Sequence, residues 1–378
     1  MRILIDARYL RAQFSGIGTY SRNLIEALAR EDVVNDYIVL THSSYHDRPE
    51  LGPNFQVVTD DALPVSLRSV TTLKSAISRH QPDVLHSLFP LVPLTWSKKL
   101  VVTVHDLQPL LDPKFTSLRG AFKRSLYDMF YRITYPAALR KADCLMSVSY
   151  ATTQSIVDMF PDCAGKILVV HGGVNEQDFE VPPSDLIGRV REKYDIPQRF
   201  IFYIGSTRPN KNLPAMLDAF ELFLRMRPEH KDVYWVLVVK PDRFFDPFFA
   251  QVRERGLPKH IQIHQQVSEQ DKRVFYHLAS MLYMVTKFEG FGLPVLEAQP
   301  QDLPVMVSTH GSLPEVAGVS ALMCDPDDPV NIAQALCNFF DNPSLTPRMV
   351  ELGRENVKRF TWPKTAREVI NIYNHLLA

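Results

Sequence analysis

The sequence carries two carboxylates eight residues apart, in the segment Lys287-Phe288-Glu289-Gly290-Phe291-Gly292-Leu293-Pro294-Val295-Leu296-Glu297. Glycines at 290 and 292 let backbone N–H groups face an anion, and Pro294 suits a first helical turn. At ~1.5 Å per helical residue and ~3.3 Å per extended one, Glu289 and Glu297 can stand on the order of 10 Å apart. That reach suits two acids gripping hydroxyls at opposite ends of a diphosphate whose middle lies on the helix N-terminus. The plainer alternatives are a first-turn Glu297 answering the helix dipole and a solvated loop charge at Glu289.

Three weaker constellations accompany it. Gly205-Ser206-Thr207-Arg208-Pro209-Asn210-Lys211-Asn212 closes an apolar run and sets Arg208 and Lys211 at the start of a helix, a diphosphate-binding arrangement. Asn210 or Asn212 could equally cap that helix, with both cations solvated. Thr103-Val104-His105-Asp106 ends another apolar run, where a His-Asp pair could touch a sugar-like ligand, with Asp106 orienting His105 or the local loop. A turn-capping Asp beside an incidental His is the alternative. Ser15-Gly16-Ile17-Gly18-Thr19-Tyr20 opens a helix, and Gly16 and Gly18 would admit an anion or simply permit a tight turn. The G-x-G-x-x-G fingerprint is absent there, which argues against nicotinamide binding.

Elements of two kinds must position these groups. Short β-rich runs at 2–7, 37–41, 83–87, 100–106, 144–149 and 166–173 alternate with helical patterns at 18–30, 66–80 and 151–160, the last with Ser149 as a cap. A polar, proline-containing stretch at 181–198 reads as a linker and a short helix. The alternation then restarts, with runs at 199–206, 233–239, 260–264, 281–286 and 303–308. Ser268 is expected to cap one helix, and Ser312-Leu-Pro-Glu315 reads as a capping box. Unalternating runs between helices predict parallel, doubly wound sheets. The expectation is two α/β domains, 1–173 and 174–361, facing a cleft, with a last amphipathic helix at 362–378 packing back on the first.

Composition narrows the function. The chain has 378 residues, with 42 basic and 42 acidic ones, so a globally basic nucleic-acid binder is not expected. Only 15 residues are glycine, about 4% against a usual ~7%, so paired glycines mark special backbone. Cys144, Cys163, Cys324 and Cys337 have neither disulfide nor zinc spacing, which fits a reducing, cytoplasmic compartment. No signal peptide is expected from Arg2 and the short run Ile3–Ile5, and no spanning helix. Segment 114–141 interleaves bases with aromatics. It reads either as a surface for anionic lipid at the inner face of the membrane or as a core-packed aromatic face with a solvated basic one.

In this order, SGIGTY, TVHD, SVSYATTQSI, VVHGGVN, YIGSTRPNKNL, EGFGLPVLEA, SLPEVAG and FTWPKTA resemble the retaining glycosyltransferases of family four, over essentially the whole chain. The resemblance implies the GT-B fold and transfer of a sugar from a nucleotide-diphosphate sugar with retained anomeric configuration. It implies Glu297 on the ribose, and Glu289 with the backbone of Gly290, Phe291, Gly292 and Leu293 on the donor sugar. Lys211 would meet the diphosphate, Gly16 and Gly18 would let the N-terminal loop reach it, and His105 and Asp106 would lie by the sugar. No cofactor or metal is implied. The acceptor would be a glycan or a lipid-linked saccharide. Three departures stand out, beginning with Ser206 and Asn210, which occupy positions where the family often has Arg, leaving Arg208 as the substitute. Gln299-Pro300-Gln301-Asp302 replaces a small-residue stretch and implies a shortened helix. A nucleotide-sugar epimerase or hydrolase, or a non-catalytic sugar-nucleotide-binding protein, are the alternative functions.

Overall fold

The computed structural model describes residues 1–11, 15–45, 51–62, 66–93, 95–112, 121–240 and 242–377. Two compact units result. One holds the described residues up to Gly173 together with those from Phe360 onward, and the other runs from Val174 to Arg359.

The first unit is a seven-stranded parallel sheet. Its strands are β1 Arg2–Asp6, β2 Asp36–Thr41, β3 Phe55–Thr59, β4 Val84–Ser87, β5 Lys99–Val104, β6 Cys144–Ser147 and β7 Ile167–Val169. They stand in the order β3-β2-β1-β4-β5-β6-β7, so chain direction across the sheet reverses between β1 and β4. Apolar runs such as Ile3–Ile5 and Leu100–Val102 are buried on both faces because helices cover both. β3 is absent from the sequence expectation. It lies at the edge, and its half-buried side chains carry no continuous apolar run.

The last helix, Trp362–Leu377, belongs to this unit and lies along the helix Gly16–Glu31. Tyr20 and Trp362 meet edge to face at 5.4 Å, and Arg367 pairs with Glu31 at 2.8 Å. A Cβ on Gly173 would stand 2.3 Å from the backbone N of Trp362, so only glycine lets the outgoing and returning chain touch there.

The second unit is a six-stranded parallel sheet: β8 Phe200–Ser206, β9 Tyr234–Lys240, β10 Ile261–His264, β11 Met281–Met284, β12 Val305–Ser308 and β13 Ala321–Cys324. Its order is β10-β9-β8-β11-β12-β13, and the reversal falls between β8 and β11. Trp235, Phe220, Phe223 and Tyr283 fill its core. Both sheets are thus doubly wound, and in such sheets ligands bind beyond the strand C-termini at the reversal.

Candidate active site

In the second unit, two loops leave the reversal point, one after β8 and one after β11. They are stitched together by backbone and amide hydrogen bonds. The carbonyl of Asn210 accepts from Lys287 N at 2.9 Å, and the Asn210 amide donates to Phe288 O at 3.1 Å. Asn212 is in the left-handed region at φ 61°, which Asn tolerates. Its buried amide donates to Val285 O at 3.0 Å and to Pro326 O at 2.7 Å. Asn212 therefore tethers loops rather than capping the helix Leu213–Met226 with its side chain.

That stitching brings Lys211 to Glu289. Nζ lies 2.6 Å from Oε1, with the side chains 19% and 11% exposed, so the pair is shielded but reachable. Gly290, Phe291 and Gly292 follow, and Gly292 takes φ 109°. A Cβ there would sit 2.7 Å from Leu313 Cδ2, so the glycine answers both conformation and space. The helix it opens, Leu293–Ala298, has six residues and passes into a 3-10 turn at Gln299–Gln301. Asp302 then turns left-handed at φ 58°, and Arg354 grips its carboxylate. The helix therefore ends within the Gln299-Pro300-Gln301-Asp302 stretch singled out in the sequence. Arg208 leads the same β8 loop and is half-buried.

One expectation is overturned. Ser312 does not close a capping box with Glu315: its side chain makes no cap bond to the helix Leu313–Ala317. The hydroxyl lies 2.6 Å from Phe291 O and 3.0 Å from Glu289 O and shares its one proton between these carbonyls, bracing the glycine loop. Ser268 does cap its helix, accepting from Asp271 N at 3.0 Å.

Glu297 stands apart from the Lys211–Glu289 pair and has its own partners. Lys272 Nζ lies 3.1 Å from Oε1, and Tyr276 OH donates to Oε2 at 2.7 Å. Burial opposes the Lys272 charge, but Glu297 and Glu269 outweigh it and raise its pKa. Burial, then the charge of Glu297, pushes Asp178 up to about 6. The spacing Glu269, Lys272, Tyr276 is an i, i+3, i+7 stripe legible in the sequence but passed over there.

In the first unit, Ser15 caps the helix Gly16–Glu31 by accepting from Gly18 N at 3.0 Å. That bond already engages one of the amides proposed to meet an anion. A Cβ at Gly18 would approach Tyr9 O at 3.2 Å, whereas one at Gly16 would meet nothing within 4 Å among the described residues. His105 lies edge-on to Tyr20, with ring centroids 4.9 Å apart, so the β5 exit adjoins this helix. Its Nε2 is 3.1 Å from Leu88 O. A carbonyl only accepts, so Nε2 carries the proton. Burial lowers the His105 pKa to about 4, and the neutral ring keeps Nδ1 as an acceptor. Asp106 accepts from Gln108 N at 3.0 Å, which ties down its own loop.

Arg8 was not anticipated. It is 1% exposed, with Nη2 2.7 Å from Asp6 and Nη1 2.8 Å from Asp60, and it donates to Ser69 O at 2.9 Å. The Asp6-x-Arg8 spacing is local, but nothing in the sequence indicates Asp60.

In the helix Ala121–Lys141, Tyr131 and Tyr135 are buried, and Tyr127 and Phe130 pack against the core. The exposed stripe is aliphatic instead: Leu126 at 45%, Met129 at 53% and Ile133 at 60%. Lys114, Phe115 and Arg119 lie outside the described residues, as do the side chains of Phe122, Lys123 and Arg124. No helix among the described residues is long and apolar enough to cross a membrane. Among them, one cluster of metal-capable donors occurs, the exposed His310, Asp325 and Asp327, and Lys287 pairs with Asp327 at 2.8 Å.

Two family profiles match successive parts of the chain: Glycosyltransferase Family 4 over residues 14–178 and Glycosyl transferases group 1 over 188–356. The chain belongs to the family-four glycosyltransferases, and its fold is GT-B. O-antigen chain mannosyltransferase B of Escherichia coli is 24% identical, with 100% of both chains covered. The serotype-specific mannosyltransferase WbdA of the same species is also 24% identical, over 74% of this chain, and this chain covers only 34% of it. Among solved structures, sucrose-phosphate synthase from Thermosynechococcus elongatus superposes with TM-score 0.76 at 19% identity, covering 100% of this chain and 99% of that one. Anabaena Alr3699/HepE in complex with UDP and glucose gives 0.74 at 15% identity, covering 99% and 100%.

Proposed function

We propose that this chain transfers a hexosyl sugar, with retention, from a nucleotide-diphosphate sugar to a glycan or lipid-linked acceptor of a cell-surface polysaccharide. The observation that carries this reading is the Lys211–Glu289 pair, held at 2.6 Å beside the Gly290–Gly292 loop at the sheet reversal. On this reading the donor diphosphate takes over Lys211, and Arg208 and the backbone of Gly290 to Leu293 add to the neutralisation. Glu289 is then released to the hydroxyls of the sugar. Glu297 holds the ribose, and His105 offers a neutral acceptor atom to the sugar rather than an acid. The leaving phosphate oxygen takes the acceptor's proton, and the acceptor oxygen attacks the same face, so no protein nucleophile is required. Cations and amides meet the leaving charge, so we expect no need for a divalent ion.

A mannosyl donor is the first to test, because a full-length relative is named as a mannosyltransferase. The experiment is a transfer assay with GDP-mannose, UDP-glucose and UDP-galactose, with and without chelator, and with anomeric configuration read by NMR. Inversion in the product refutes retention, nucleotide release without transfer points to the hydrolase alternative, and loss of activity on chelation refutes metal independence.

The aliphatic stripe Leu126, Met129 and Ile133, beside the exposed Arg132, supports peripheral contact with an anionic bilayer on the cytoplasmic side. Flotation with phosphatidylglycerol vesicles tests it. Binding that survives Met129→Glu with Ile133→Glu rules the stripe out.

A further inference from the structure

Glu269, Lys272 and Tyr276 lie on one face of the helix Glu269–Leu278, and that face meets Glu297. Lys272 Nζ is 2.7 Å from Glu269 Oε2 and 3.1 Å from Glu297 Oε1, so the cation bridges both acids. Tyr276 is 1% exposed and donates to the other oxygen of Glu297 at 2.7 Å. The two helix side chains thus hold one carboxylate oxygen each.

We infer that Lys272 and Tyr276 are positioning residues that set the Glu297 carboxylate to receive both vicinal hydroxyls of a ribose, and so make this site select ribonucleotides over 2′-deoxyribonucleotides. The inference rests on the ribose role proposed above for Glu297. An ionised carboxylate offers about four lone-pair sites. The helix occupies one on each oxygen, which leaves one on each oxygen for a ligand. Vicinal hydroxyls present two donors side by side and match that remaining pair. A carboxylate held at a single oxygen can swing and satisfy one hydroxyl, and it then loses its sense of whether the second is there. Lys272 holds one oxygen of Glu297 and Tyr276 the other, so together they fix its plane. Tyr276 is the sharper probe, because Phe preserves its volume and removes only the hydroxyl.

The test is calorimetric titration of the full chain with GDP, UDP, 2′-deoxy-GDP and 2′-deoxy-UDP. Wild type is expected to bind a ribonucleotide at least ~10-fold more tightly than its deoxy form, as for loss of one charge-assisted hydrogen bond. In Tyr276→Phe that ratio should fall to within about 3-fold. The variant should fold with a lowered melting temperature, and donor KM should rise by a larger factor than kcat at saturating donor falls. Lys272→Met should shift the ratio the same way, and if it does not fold, Tyr276→Phe decides. Failure of every nucleotide to bind wild type overturns the donor-site reading itself. Binding with a ratio that Tyr276→Phe leaves intact, or a fall in kcat with KM unmoved, overturns the positioning role and leaves the donor site standing.

Discussion

The two sheets end in groups of different electrical character. Beyond the first, His105 is neutral, with its pKa lowered by burial to about 4, and the buried cation Arg8 is fully engaged by Asp6 and Asp60. Beyond the second, Lys211 faces Glu289 and Lys272 faces Glu297 across shielded contacts, and each pair keeps some exposure. The same strand order therefore supports two kinds of site. One suits neutral hydroxyls, while the other can exchange an internal ion pair for an ionic ligand. A pyrophosphate needs the second kind, because its charge must be met by cations already partly stripped of water.

The largest effect should come from breaking the ionic side. Glu289→Ala and Lys211→Ala should each lower kcat by ~100–1000-fold, as for other groups that stabilise transition-state charge. Near-normal turnover in both variants would falsify the assignment. Next comes acid stability. Burial, with His105 nearby, lowers His86 to about 3, so both histidines bind protons more weakly folded than unfolded. Their contribution is complete above the ordinary histidine pKa of ~6.5 and is lost as pH falls through 6 to 4, by ~1.4 kcal/mol per pH unit for each. Hydrogen exchange should show the first unit loosening over that window, and His86→Gln should flatten the slope. An unchanged slope removes His86 from the account.

Smaller effects sharpen the contrast. His105→Ala should cost only ~10-fold in kcat, the scale of one neutral hydrogen bond, with no inflection in the rate between pH 6 and 8. A wild-type inflection there that vanishes in the variant would make His105 a titrating group. Glu297→Ala should chiefly raise donor KM, and a pure kcat loss contradicts its ribose role. Asp178 runs opposite to the histidines. Its raised pKa means that stability falls as pH climbs from about 4 to 6, so Asp178→Asn should raise the second unit's melting temperature at pH 8 and not at pH 4. Equal shifts at both values would show that charge is not the cause.

Much of this was legible in the sequence. Buried parallel strands announce themselves as unalternating apolar runs, and the caps Ser149 and Ser268 sit where hydroxyl spacing puts them. Glu289, Gly292 and Lys211 were readable because loop chemistry leaves glycines and charges close together in sequence. Edge strands β3 and β13 were missed whereas edge strands β7 and β10 were found, so lying half-buried at an edge does not by itself hide a strand. Ser312 was misread because a serine three residues before a glutamate has the pattern of a cap, whereas its hydroxyl is drawn to the carbonyls of Glu289 and Phe291, more than twenty residues upstream. Arg8 with Asp60, and Asn212 with Val285 and Pro326, are contacts that only tertiary folding creates.

The helix Trp362–Leu377 completes the first unit with residues made only after the whole of the second unit. Tyr373 is buried there, with its hydroxyl on His86 and its ring near Tyr37. On the ribosome the opening half must therefore wait, with the faces around His86 and Tyr20 uncovered, until the entire second half has emerged. A stop codon placed after Arg359 would spare every residue of the second unit and still leave the first one unfinished.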